Sequence, residues 1–160
     1  MSFVQPAARA RWLRAVVAFV MTLSIGLAGF ASGPQQALAV STTVVISQFQ
    51  VAGTTAADEF VELHNVSNAS IDLNGYRVVY RAATGTSDVN LAAWTTSTIV
   101  PAGGFYLIAG TPGYDDTVTA DTTFNGGANG SLAGAGGGFA LRNGALNSGT
   151  IIDSVGYGTA

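Results

Sequence analysis

The chain has no cysteine, no lysine and a single histidine, His64, in 160 residues. The missing cysteine excludes a disulfide framework, a thiolate zinc centre and a lipid-modified N-terminal cysteine. The missing lysine removes the Gly-Lys-Ser/Thr element of a phosphate loop. Charged residues make up only 9% of the chain, low for a globular domain. Beyond residue 39 no segment has helical periodicity.

What is present first is an export pattern. Arg9, Arg11 and Arg14 form a basic opening, and Val16 to Phe30 follows as an uncharged apolar run. Gly33-Pro34 breaks any helix, and Ala37-Leu38-Ala39 supplies the small-x-small pattern of a signal peptidase site. The run is shorter than the ~20 residues a spanning helix needs, and its arginines are not paired as in a twin-arginine signal. The pattern predicts a Sec-type secretory signal over residues 1–39, cleaved between Ala39 and Val40. The protein is then secreted or held at the cell surface, with no stable membrane span left after cleavage.

Residues 40–160 keep three Arg against all nine Asp and Glu, a net charge near −6. Such a surface repels phosphate backbones, so direct nucleic-acid binding is disfavoured. The segment is long enough for one domain with its own core, which must be held by packed Val, Ile, Leu, Phe and Tyr.

Thr43 to Val51 is β-branched and suits a strand, and Glu59 to Asn65 alternates, with Val61 and Leu63 on one face and Glu62 and His64 on the other. Asn65 to Ser70 reads as a turn, Ile71-Asp72-Leu73 as a short extended piece and Asn74-Gly75 as a tight turn. Tyr76 to Arg81 is another strand, with Tyr76, Val78 and Tyr80 set against Arg77, Val79 and Arg81. Residues 82–97 read as loop, anchored by Leu91 and Trp94. Thr98 to Val100, the Pro101–Gly104 turn and Phe105 to Ala109 predict a hairpin. Gly110 to Gly138 is the least regular stretch, with Gly134 to Gly138 as a flexible loop; Phe139 to Arg142, the Asn143-Gly144 turn and Ile151 to Tyr157 close the chain as strands. Short strands between turns predict an all-β sandwich or barrel, with Val61, Leu63, Leu73, Leu107, Leu141, Ile152 and Val155 in its core.

In order along the chain stand Val45-Ile46-Ser47, Glu59-Phe60-Val61-Glu62-Leu63-His64-Asn65, Ile71-Asp72-Leu73-Asn74-Gly75-Tyr76, Ile99-Val100-Pro101-Ala102-Gly103-Gly104, Phe139-Ala140-Leu141-Arg142 and Ile152-Asp153-Ser154-Val155-Gly156-Tyr157-Gly158. This ordered set resembles the lamin tail domain in its bacterial secreted form. The resemblance implies an immunoglobulin-like β-sandwich without a disulfide, acting as a non-catalytic interaction module with no shared catalytic residues. Relatives of that form are exported and often attached to secreted nucleases, phosphatases or other hydrolases, so the alternative expectation is an N-terminal accessory fragment of a larger secreted hydrolase. Family members usually continue into an Arg-containing, Asn/Asp-rich segment. Its absence before Ala160 leaves a truncated product or a minimal module, and a C-terminally truncated domain is the expectation. The implied partner is a protein or a cell-surface or extracellular polymer.

No catalytic set is expected. Glu59 and Glu62 differ by an odd number of positions, so a strand places them on opposite faces rather than as an acid–base pair. His64 is not accompanied by a Gly-x-Ser-x-Gly elbow. A hydrolase built on Glu59, Glu62 or His64 is therefore the least favoured expectation. Asp115, Asp116 and Asp121 offer oxygen ligands for calcium but lack the Asp-x-Asp-x-Asp-Gly spacing, which makes them weak candidates; no other cofactor is implied. The triplets Asn65-Val66-Ser67, Asn68-Ala69-Ser70 and Asn129-Gly130-Ser131 match glycosylation acceptors on paper and carry no assigned function.

Overall fold

A computed structural model describes residues 41–125 and 132–158, within a compact unit Ala39–Ala160. The signal segment 1–39, the Ala39–Val40 bond and the Asn129 triplet lie outside the described residues. Among the described residues there are ten strands and no helix. They are β1 (Val44–Gln50), β2 (Phe60–Asn65), β3 (Ile71–Asp72), β4 (Tyr76–Ala82), β5 (Val89–Ala93), β6 (Ile99–Val100), β7 (Phe105–Thr111), β8 (Thr122–Asn125), β9 (Gly136–Asn143) and β10 (Thr150–Gly158).

Two four-stranded sheets, β1-β2-β7-β8 and β10-β9-β4-β5, share one core, with β3-β6 as a two-stranded ribbon. Period-2 alternation builds that core: Val61 and Leu63 from β2, Val78 and Tyr80 from β4, and Phe139 and Leu141 from β9 are all buried together. Full burial of a side chain of this size stabilises by about 1.5–3 kcal/mol. Phe49, Tyr80, Phe139 and Tyr157, one from each of four strands, pack as an aromatic cluster with centroid separations of 5.0–5.9 Å. The sheets also touch along one side, where β1 lies beside β10 and the Ile46 N–H donates to Asp153 Oδ2 at 2.7 Å.

Four expectations need correction. Residues 82–97 are not all loop: β5 pairs with β4 across a bulge at Val78/Val79, which lets the consecutive residues Leu91 and Ala92 both be buried. The Pro101–Gly104 turn makes no hairpin. β6 pairs with β3 and β7 with β2, so the chain changes sheet at a corner where Gly103 takes a φ of 68°. Within Gly110–Gly138, β8 runs parallel to β7 and buries Phe124. The glycine run is not a flexible loop either, because Gly136–Gly138 begin β9 and pair with β10, Gly137 and Gly138 also with β4. A Cβ on Gly137 would stand 2.7 Å from Tyr80 Cε2, so the Tyr80 ring occupies the space a side chain would need.

Three buried apolar residues, Val79, Leu107 and Ala109, are not part of the shared core cluster. By register they face outward, since Leu107 stands opposite Glu62 and Val79 opposite Ala140. Leu107 exchanges two backbone-level bonds with Asp121, its N–H to Asp121 Oδ2 at 2.8 Å and its C=O from the Asp121 N–H at 2.9 Å. Ile152 and Val155 are only partly buried.

Candidate functional site

Glu59, Glu62 and His64 occupy three separate environments. Glu59, just ahead of β2, is wholly buried; its Oε1 accepts the Leu132 N–H at 2.6 Å, and Oε2 has no hydrogen-bond partner. Burial raises its pKa above the ordinary 4.5, against the smaller lowering by the Leu132 N–H. Glu62 lies on the opposite, outer face and accepts the Ser47 hydroxyl at 2.6 Å. His64 stacks on Phe105 with centroids 4.2 Å apart and planes within 11°. The three are not brought into one acid–base or nucleophilic arrangement.

The loop aspartates are also dispersed among different partners. Asp115 Oδ2 accepts the Thr54 hydroxyl at 2.5 Å, Asp116 Oδ1 accepts the Thr117 N–H at 2.6 Å, and Asp121 is spent on Leu107. Among the described residues no group of three His, Cys, Asp or Glu is placed to hold a metal ion. Tyr114, packed edge-on to Phe60 at 6.1 Å, has its pKa raised by burial and then by the charges of Asp116, Asp58 and Glu62.

The two outer sheet faces differ in chemistry. That of β1-β2-β7-β8 presents Glu62 and the His64–Phe105 stack, with Phe105 56% exposed. That of β10-β9-β4-β5 carries Arg77, Arg81 and Arg142, every positively charged residue beyond residue 39. Arg77 stands directly opposite Arg142, and Arg81 is two residues beyond Val79, on the same strand face as Arg77. Asp88 ties two of them: Arg81 Nη2 lies 2.6 Å from its Oδ1 and Arg142 Nε 2.8 Å from its Oδ2. Asp88 is held in turn by its own N–H donating to Asn147 Oδ1 at 2.7 Å. Beside this cluster runs a groove of about 310 Å³, floored by Gly138, Ala140, Ser154 and Gly156.

Sequence reasoning missed two residues that organise these surfaces. Asn65 was read as the start of a turn and of a glycosylation triplet. It is wholly buried, its Nδ2 donates to the carbonyls of Ala69, Val100 and Pro101 at 2.8–3.1 Å, and Oδ1 accepts from the Ser67 N–H and hydroxyl. Its side chain therefore has no room for a glycan. Asp88 sat unremarked in a polar stretch; the only signal was an acid seven positions after Arg81 in a chain with few cations.

Fold and surface together define a disulfide-free, immunoglobulin-like β-sandwich in which the sequence-predicted acid, base and metal candidates are engaged apart from one another. The family model described as Lamin Tail Domain matches residues 38–159, and the chain belongs to that family. The family is one of non-enzymatic immunoglobulin-like interaction modules. No curated protein matches the chain. Among the described residues no helix is long and apolar enough to cross a membrane.

Proposed function

We propose that the chain is exported and that its sandwich serves as a non-catalytic interaction module at the cell surface or outside the cell, with a protein or surface polymer as partner. The observation that carries the reading is the separate engagement of Glu59, Glu62 and His64. A buried carboxyl facing a backbone amide, a surface carboxylate held by serine and a ring stacked on Phe105 make no shared reaction centre. Membership of the lamin tail domain family supports the same reading, and the basic opening, apolar run and Ala37-Leu38-Ala39 support export.

Two measurements test it. The intact mass of protein recovered from the growth medium should correspond to a chain beginning at Val40; retention in the cell with residues 1–39 attached would refute export. Purified chain should turn over no phosphoester, glycoside or peptide substrate. Turnover abolished by Glu59→Gln or His64→Ala would refute the non-catalytic reading.

A further inference from the structure

We propose that the arginine-bearing outer face of β10-β9-β4-β5 is the docking surface of the module, and that its occupant is an extended, acidic polypeptide segment of a partner protein. The proposal rests on the interaction-module reading and names the surface and the chemistry of the partner.

Three observations carry it. The first is charge segregation: Arg77, Arg81 and Arg142 share one sheet face while the domain as a whole is acidic, and Asp88 is the acidic residue in contact with them. An electropositive face on an acidic body steers acidic partners to one place and repels them elsewhere. The second is the fork geometry. The Asp88 carboxylate already spans Arg81 and Arg142, so the spacing of the guanidinium groups suits carboxylate. Those contacts use Nε and Nη2 of Arg81 and Nε of Arg142, with Nη1 of Arg142 on the Gly149 carbonyl. Both residues line the groove, Arg81 with its side chain 42% exposed as the open contact and Arg142, 10% exposed, behind it. The third is the floor. Gly138, Ala140, Ser154 and Gly156 lie in two adjacent register rows, Ala140 opposite Ser154 and Gly138 opposite Gly156. With no bulky side chain there, an extended backbone can lie close to the sheet and present its acidic groups sideways to the arginines.

The chain cannot supply this occupant from its own first 40 residues, which contain no Asp or Glu and three Arg. A continuous phosphate polymer suits the face less well than a peptide. It presents a charge at every unit and meets the repulsion of the remaining eight carboxylates, whereas in an extended peptide side chains alternate, so the acidic groups on the arginine side stand two residues apart.

The test is fluorescence anisotropy of labelled poly-L-glutamate with the full chain, at low and at physiological salt, with inorganic polyphosphate and a Gly-Ser peptide as comparisons. The expected result is saturable, salt-sensitive poly-glutamate binding, weaker polyphosphate binding and none to Gly-Ser. Arg81→Gln and Ser154→Glu should each weaken it at least ~10-fold. Both sites are solvent-accessible, the Arg81 side chain at 42%, and an unchanged melting temperature separates lost binding from lost fold. Absence of poly-glutamate binding at low salt, binding indifferent to both variants, or polyphosphate binding as tight as poly-glutamate would each overturn the proposal. None of these would produce substrate turnover, so the non-catalytic reading stands or falls separately.

Discussion

The two ends of β2 each bury a polar side chain completely, and they do so in opposite ways. At the end that meets β6 and β7, Asn65 uses both amide protons and its carbonyl oxygen, in bonds to Ala69, Val100, Pro101 and Ser67. Its backbone adds two more, its N–H to the Gly104 carbonyl at 2.9 Å and its C=O from the Gly103 N–H at 3.0 Å. At the other end Glu59 makes one side-chain bond, to Leu132, and leaves Oε2 unpartnered. A neutral amide with every group engaged can be buried at little expense, whereas a carboxyl with an idle oxygen resists ionisation and holds its site under electrostatic tension. One end of the strand is therefore a fixed corner, and the other depends on pH.

The sharpest way to break the comparison is Asn65→Ala. Three carbonyls and Ser67 lose their partner at a buried corner, and the expected loss is roughly 3–5 kcal/mol by urea denaturation. A loss below ~1 kcal/mol would mean water replaces the amide. Second is Glu59→Gln. The folded Glu59 pKa is raised, so the folded domain holds a proton that the unfolded chain releases near 4.5. That stability is fully present below about 4.5 and is lost as pH rises through the folded value. Tyr157, whose own pKa is raised above 10.0 by burial and then by its bond to Tyr80, stays protonated throughout. The wild type should weaken as pH rises above about 4.5 and the Gln variant should not; parallel profiles would place the pH dependence elsewhere.

Ser67→Ala should cost about 1 kcal/mol, because it removes one of two donors to Asn65 Oδ1 and leaves the other. The smallest effect is at Asp72, exposed on β3 beside the Asn65 corner. The Asn74 and Thr98 N–H groups and then the Ser97 hydroxyl hold its pKa below 3.8. Its contribution is present above that value and is lost as pH falls through the folded pKa. Asp72→Asn should flatten only the acid limb of the denaturation profile and leave the midpoint at pH 7 nearly unchanged. Asp72 on β3 and Glu59 ahead of β2 would then be seen to lose their contributions in opposite pH directions.

The strands whose one face is buried and other face wet were readable from alternation, which is why Val61-x-Leu63 and Val78-x-Tyr80 were found. The errors lie where a second layer disturbs that rule. Leu107 and Val79 point outward and are nevertheless buried, so the alternation of exposed and buried positions fails at both. β8 has four residues, too few to show a period. The run Gly136–Gly138 lacks β-propensity, and at Gly137 the Tyr80 ring fills the side-chain space, a cause that sits on β4 and is invisible within the run itself. The Asn65 corner escaped because its partners Val100 and Pro101 are 35 and 36 residues away. The Arg81–Asp88–Arg142 cluster joins three strands' worth of sequence through side chains alone, so no local pattern announced it.

The bond from the Ile46 N–H to Asp153 spans 107 residues and joins the first strand to the last. During synthesis β1 must wait for almost the entire domain before its neighbour along that side exists. Because loop closure over such a span precedes the contacts that reward it, the sandwich closes late and as a whole. Until β10 arrives, the side of β1 that bonds Asp153 has no strand beside it.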